Sequence, residues 1–311
     1  MISVISPVYN ESENIGELCE RVISALENSE EDFEFILVEN GSSDNSLKII
    51  KGLRKKDSRI KFVSLSRNFG HQGGILAGLA SASGDAVISL DGDLQQPPEL
   101  IPKMVELWKQ GYEVVFTTKK VSQDNSNWRS FASRFFYKCI SRVSELNLSY
   151  GQSDYRMIDR KVVDILNQVP ERNMFLRGMV EWVGFSQIGL EYEVGLREKG
   201  QSKFSFRDYV SFALDGILSF STVPLRIFLW LGLGISFICG LYAVYYLVVG
   251  IANVFMADRH LLPPGWATIA FSITFLGGIQ LIGIGCAGEY ISRIYYQTKE
   301  RPNFIIKEKE L

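Results

Sequence analysis

Asp91-Gly92-Asp93, followed at once by Leu94-Gln95-Gln96-Pro97-Pro98-Glu99, puts two carboxylates and an amide at the end of the apolar run Asp85-Ala86-Val87-Ile88-Ser89-Leu90. The run reads as a buried strand. Carboxylates at i and i+2, where a strand gives way to a turn, can both reach one hard divalent cation that keeps its other positions for water and substrate phosphates. The segment therefore proposes a metal-diphosphate site. Its plain alternative is a turn, since Asp and Gly favour turns for backbone reasons alone.

The elements that would position these carboxylates alternate regularly. Apolar runs at Ile2–Pro7, Phe33–Glu39, Ile60–Leu65, Ala86–Leu90 and Glu113–Thr118 predict strands, and helical patterns fall at about Ser12–Asn28, Asp44–Lys56, Gln72–Ala82 and Pro98–Lys109. This spacing predicts βαβ units and an α/β fold with a mostly parallel sheet. Ligands bind beyond the carboxyl ends of strands in such sheets. Polar clusters stand at four of those ends: Pro7-Val8-Tyr9-Asn10-Glu11, Glu39-Asn40-Gly41-Ser42-Ser43-Asp44, Ser66-Arg67-Asn68-Phe69-Gly70 and Asp91-Gly92-Asp93. There is no GxGxxG and no GxxxxGK[ST], so dinucleotide-binding and P-loop readings lose their main support.

Hydrophobicity is concentrated late in the 311 residues, 46% of which are hydrophobic. No charged side chain occurs from Ile227 to Ala257, and after Asp258-Arg259-His260 a second uncharged stretch runs from Leu261 to Gly288. Each exceeds the roughly 20 residues needed to cross a bilayer, which predicts two transmembrane helices. Met1–Pro7 lacks the basic start and apolar core of a signal peptide. Arg226 precedes the first stretch, and Arg293, Lys299, Arg301, Lys307 and Lys309 follow the second, so both termini and the N-terminal domain are expected in the cytoplasm. The four cysteines form no CxxC pair and indicate neither a disulfide framework nor zinc. A net charge of −2 argues against bulk binding of nucleic acid.

Between sheet and membrane stretches, residues 121–134 read as a polar loop over the rim, about 130–145 as a helix in which Phe135-Phe136-Tyr137 suit a core, and 204–225 as interfacial helices mixing aromatics with isolated charges. The expected organisation is a catalytic-type domain over 1–203, interfacial helices over 204–225, a transmembrane hairpin over 226–290 and a cytoplasmic tail over 291–311.

Together the motifs resemble the polyprenol-phosphate glycosyltransferases of glycosyltransferase family 2, which include dolichol-phosphate mannose synthases and bactoprenol glucosyltransferases. The resemblance rests on Pro7-Val8-Tyr9-Asn10-Glu11, Asn40-Gly41-Ser42-Ser43-Asp44, Arg67-Asn68-Phe69-Gly70, Asp91-Gly92-Asp93-Leu94-Gln95, Ser153-Asp154-Tyr155-Arg156, Arg177-Gly178 and Arg197-Glu198-Lys199-Gly200-Gln201-Ser202-Lys203, ahead of two apolar stretches. It implies a GT-A fold, a nucleotide-sugar donor with UDP-glucose favoured, Mg2+ or Mn2+, a polyprenyl-phosphate acceptor at the bilayer, a homotetramer and a flippase acting downstream.

The same resemblance implies residue roles. Pro7, Tyr9, Glu11, Asp44, Arg67 and Asp91 would frame the donor nucleotide, and Asp91, Asp93 and Gln95 would hold the metal, Asp93 and Gln95 most directly. Asp44 also suits an N-cap, and Arg67 a structural ion pair. Arg177, Arg197, Ser202 and Lys203 would bind the acceptor phosphate, Arg in bidentate fashion and Lys as a point charge. Asp154 is the family's candidate base, with Asp91 and Asp93 beside it in catalysis. A phosphate monoester has a second pKa of about 6 and is largely dianionic at neutral pH, so Asp154 alternatively orients the acceptor or balances Arg156. His71 reads as a satisfied polar residue and Trp182 as a packing residue. A processive polysaccharide synthase shares the early motifs but usually carries Gln-x-x-Arg-Trp, absent here; a nucleotide-sugar-binding scaffold without turnover is the rival from another class.

Overall fold

The computed structural model describes residues 1–29, 31–119, 152–171, 176–192, 223–255 and 265–311. The expected loop and helix between 121 and 145, the interfacial segment up to 222, and Arg197, Ser202 and Lys203 lie outside the described residues. Two compact units are present, Met1–Phe220 together with Glu300–Leu311, and Ser221–Lys299.

The first unit is a three-layer α/β structure. Its strands are β1 (Ile2–Val8), β2 (Phe33–Glu39), β3 (Ile60–Leu65), β4 (Ala86–Ser89), β5 (Val114–Lys119), β6 (Gln152–Asp159), β7 (Gln187–Tyr192) and β8 (Ile306–Glu310), in the sheet order β7-β5-β6-β4-β1-β2-β3-β8. β1 pairs in parallel with β2 and β4, β2 with β3, and β5 with β7. The β4–β6, β5–β6 and β3–β8 pairings are antiparallel, so the sheet is mixed.

Alternation along the strands builds two cores. Phe35 and Leu37 of β2 join Ile2, Val4, Ala86 and Ile88 on one face, whereas Ile36 and Val38 join Ile5, Val63 and Val87 on the other. The first face is covered by α1 (Ile15–Glu27), α2 (Ser46–Lys56) and α4 (Ile101–Lys109). α1 qualifies because Ile15, Leu18, Cys19, Val22, Ala25 and Leu26 recur at helical spacing and are all buried. The second face is covered by α3 (Gly70–Ser81), α5 (Arg160–Gln168) and α6 (Leu176–Val183). α3 lies close to the sheet through glycine: a Cβ on Gly74 would stand 2.8 Å from Pro7 Cβ, and one on Gly78 2.8 Å from Ile5 Cδ1. Pro7 is thus a floor under α3.

Sequence boundaries hold to within a few residues for the first four helices. The strands not foreseen are β6, whose polar residues are nonetheless buried, β7, and β8, formed by the segment expected only as a cytoplasmic tail. The described residues of the second unit form two 33-residue helices, α7 (Val223–Phe255) and α8 (Trp266–Thr298). Two spans were expected; among the described residues one segment, Phe275–Thr298, is long and apolar enough to cross a membrane.

Because β1 to β4 run parallel, their carboxyl ends and following loops share one rim. Gly41 fixes how two of them meet: at φ +71°, a Cβ there would fall 2.5 Å from the backbone carbonyl carbon of Arg67. Gly41→Ala is expected to destabilise the protein by at least about 1–3 kcal/mol, while Gly52→Ala, inside α2 with nothing within 4 Å, is expected to stabilise it by about 0.5–1 kcal/mol. Denaturant midpoints of the two variants in parallel check the opposite signs.

Candidate active site

Strand register brings the central carboxylates together. Ala86 to Ser89 of β4 pair antiparallel with Asp159 to Arg156 of β6, and two further steps set Asp91 opposite Asp154. Ser89 Oγ donates to the Asp154 carbonyl and pins the pair. Asp154 is only 6% exposed. Arg177, on the first turn of α6, grips it bidentately, Nε to Oδ1 at 2.7 Å and a terminal nitrogen to Oδ2 at 2.8 Å. Arg156, itself buried, is 3.9 Å from Asp154 Oδ1 and donates instead to the Ser153 carbonyl at 3.0 Å. The expected Asp154–Arg156 pair is therefore the weaker contact, and Arg177 is the carboxylate's main partner.

His71 completes the cluster from the first turn of α3. Its Nε2 lies 3.3 Å from Asp91 Oδ1 and 3.6 Å from Asp154 Oδ2. Burial opposes a charge on the ring, but the nearby carboxylates of Asp154 and Asp91 outweigh it, raising the imidazole pKa to about 9. The positive end of the helix dipole also disfavours a cation in this first turn, so the two carboxylates are what keep it there. Burial likewise works against the charge on Asp154, yet the Arg177 guanidinium and His71 hold its carboxyl well below the usual range. Burial pushes the Asp91 carboxyl up; His71 opposes this, and the charges of Asp154 and Asp93 add to it.

Gln96 is the residue that sequence reading missed. It is 3% exposed; its Nε2 donates to Asp91 Oδ2 and, at 3.0 Å, to Ser153 Oγ, and its Oε1 accepts from the Asp91 backbone N–H at 2.9 Å. Leu94 stands at φ +60° between Asp93 and Gln95, an unusual conformation for a branched apolar residue. That turn sends the second glutamine inward, while the Gln95 backbone N–H donates to Asp93 Oδ1 at 3.2 Å.

Asp91 and Asp93 supply two of the donors a divalent cation would need, and a substrate would have to supply others. Asp91 and Asp93 offer hard oxygens whose like charges disfavour each other, and among the described residues no group of three or more His, Cys, Asp or Glu side chains could hold an ion. The remaining positions would fall to diphosphate oxygens and water, the usual manner of Mg2+.

The residues expected to frame a nucleotide sit in loops on the same rim. Asp44 Oδ2 accepts from the Ser12 backbone N–H and Oδ1 from that of Ser46; the cap of α2 is Asn45, so Asp44 ties the first two loops together beside the helix start. Asn10, at φ +54°, accepts from the Ser43 N–H. Asn40 accepts from the Phe69 N–H and donates to the Gly70 carbonyl. Glu11 accepts from Asn14 Nδ2 at 2.7 Å, and Tyr9 is exposed. The Arg67 guanidinium lies 4.1 Å from the Phe69 ring centre, a stacked contact where an ion pair was the alternative. Trp182, expected to pack, is 63% exposed.

The profile of Glycosyl transferase family 2 matches residues 3–166. The chain belongs to that family. It is a glycosyltransferase, and its likeness to curated relatives runs end to end. It is 37% identical to the bactoprenol glucosyl transferase of Shigella phage SfV, covering 99% of both chains, and 37% identical to the putative glycosyltransferase CsbB of Bacillus subtilis, covering 99% of this chain and 92% of that one. It is also 38% identical to an uncharacterized glycosyltransferase, sll0501, of Synechocystis, covering 99% and 95%. Among solved structures, glucosyl-3-phosphoglycerate synthase from Mycobacterium tuberculosis in complex with Mn2+, UDP-glucose and phosphoglyceric acid aligns at a TM-score of 0.46 and 16% identity, over 70% of this chain and 77% of that one.

The raised imidazole pKa carries a sign. A group whose folded pKa exceeds its unfolded value of 6.5 stabilises fully below 6.5 and loses that contribution as pH rises through about 9. In the metal-free protein, the melting temperature of wild type should exceed that of His71→Gln by a margin of a few degrees near pH 6 that shrinks toward zero by about pH 10. Thermal melts of both across that range check it; a margin that does not narrow would show the imidazole uncharged.

Proposed function

We propose that this glycosyltransferase moves one sugar, glucose from UDP-glucose, onto a polyprenyl phosphate of the undecaprenyl type at the cytoplasmic face of the membrane, with inversion at the anomeric carbon. The observation that carries the reading is the Asp154–Arg177–His71 cluster, two cations held by one buried carboxylate beside Asp91, in a chain alike over its full length to bactoprenol glucosyl transferases. Two anions must meet here, a diphosphate donor and a phosphate acceptor, and fixed cations offset their repulsion.

In the proposed reaction an oxygen of the acceptor phosphate dianion forms the new bond to the anomeric carbon as the bond from that carbon to the UDP oxygen breaks, and the electron pair leaves on UDP. No proton has to be removed from a dianion. A base works best with a pKa near the operating pH, and Asp154 is held far below it. Its role is therefore to fix Arg177 and His71, and Arg177 with Arg197, Ser202 and Lys203 would receive the acceptor phosphate. Asp91 and Asp93, with Gln95, would hold Mg2+ or Mn2+; the bound ion supplies charge neutralisation on the departing diphosphate. Gln96 fixes Asp91 for that task. Tyr9, Glu11 and Arg67 would face the nucleotide, with Pro7 and Asp44 shaping the loops around it.

α7 and α8 would form a two-span hairpin that keeps the catalytic unit at its lipid substrate, in keeping with their lengths and the uncharged stretches. Gly277, Gly278, Gly283, Gly285 and Gly288 give α8 small residues for helix packing in a homo-oligomer such as a tetramer. A flippase would carry the lipid-linked sugar onward.

The test is transfer by the purified full chain in nanodiscs, with labelled UDP- and GDP-sugars, undecaprenyl phosphate and Mn2+ or Mg2+. Label from UDP-glucose should enter the lipid fraction, vanish with EDTA, and fall at least about 100-fold in Asp93→Ala, the scale of losing one electrostatic contact to a transition state. Label from no donor, in protein that still binds UDP-glucose, would overturn the reading.

A further inference from the structure

The segment after α8 reaches both elements that carry the cations of the site. β8 closes the sheet against β3, with Phe62 opposite Glu310, Val63 opposite Lys309, Ser64 opposite Glu308 and Leu65 opposite Ile306. The register shifts between Ser64 and Leu65, where β3 gives way to the loop leading to His71. Just past the ladder, the Ser66 N–H donates to the Ile305 carbonyl at 2.9 Å. Phe304 and Ile306 pack on the second core together with Phe69. The Asn303 carbonyl oxygen lies 3.4 Å from where a Cβ on Gly73 would stand, against the first turns of α3. On its other side, Asn303 Nδ2 donates to the Glu171 carbonyl at 3.0 Å, five residues before α6 and Arg177.

We propose that the C-terminal segment 303–310 is a positioning element for the glycosyl transfer reaction, with Asn303 its central positioning residue: it clamps the loop that presents His71 to the approach that presents Arg177, and so sets both cations on Asp154. The inference deepens the proposed function and rests on it for the role of the two cations. Its physical logic is that the edge strand holds the loop before His71 by backbone bonds that no side-chain change can remove, while the Asn303 side chain ties that same segment to the Glu171 carbonyl. The strand's own anchoring is separate: Lys51 Nζ of α2 sits 2.8 Å from both Glu308 oxygens.

The experiment compares the full-length chain, Asn303→Ala and Lys51→Ala by amide hydrogen exchange without substrate, by UDP–Mn2+ affinity, and by transfer rate. Asn303→Ala should speed exchange at 176–178 at least about fivefold over β1, β2 and the backbone-held 66–71 loop, leave UDP–Mn2+ affinity within about twofold, and lower kcat about tenfold. Lys51→Ala should leave exchange at both segments and kcat unchanged. Unchanged exchange at 176–178 in Asn303→Ala, or faster exchange spread evenly over the sheet, would overturn the proposal. The exchange result stands even if no lipid product forms in wild type, so failure of the proposed reaction and failure of the clamp are told apart.

Discussion

An ionised carboxylate with 6% exposure is expensive unless cations repay its lost hydration, and the rim of this sheet is arranged around that debt at Asp154. Arg177 meets it with a two-pronged grip and His71 with a shared contact to Asp91. The three come from different parts of the fold: β6, the start of α6 and the start of α3. Removing either cation would leave the buried negative charge less fully compensated, so folding and site geometry are coupled. In the reaction proposed above, the same two cations would be what the phosphate-bearing substrates meet.

Backbone constraints hold the surrounding loops with equal economy. Asp44, Asn10 and Asn40 each spend side-chain oxygens on backbone N–H groups of neighbouring loops, which replaces sheet pairing where the strands have ended. Gly41 allows the second and third loops to touch, and the left-handed residues Asn10 and Leu94 aim the first and fourth. Such conformations persist only where neighbours over-determine them, and they concentrate here beside the carboxylates.

Much of this was legible in the residues. β1 to β5 and the first four helices announced themselves by apolar runs and helical spacing, and parallel pairing placed their polar clusters on one rim. What escaped has physical causes. β6 carries buried Asp154 and Arg156 on a strand with no apolar run, and its antiparallel insertion between β4 and β5 is a long-range pairing without a local signal. His71 looked like an isolated histidine because its partners are 20 and 83 residues away in sequence. Gln96 could not be told from Gln95 without the φ of Leu94. β8, with the sequence Ile306-Lys307-Glu308-Lys309-Glu310, has the charged face of an edge strand and read as a solvated tail.

The central claim is that the acceptor's own charge, and no protein base, supplies the nucleophile, with Asp154 serving as an anchor for cations. The most direct measurement is the pH dependence of kcat/KM for two acceptors with different second pKa values, a polyprenyl phosphate and a difluoromethylphosphonate analogue of lower pKa. The account predicts an acidic limb whose inflection lies near pH 6 for the phosphate and moves down with the analogue. An inflection that stays at one pH for both acceptors would assign the limb to a group of the enzyme and contradict it.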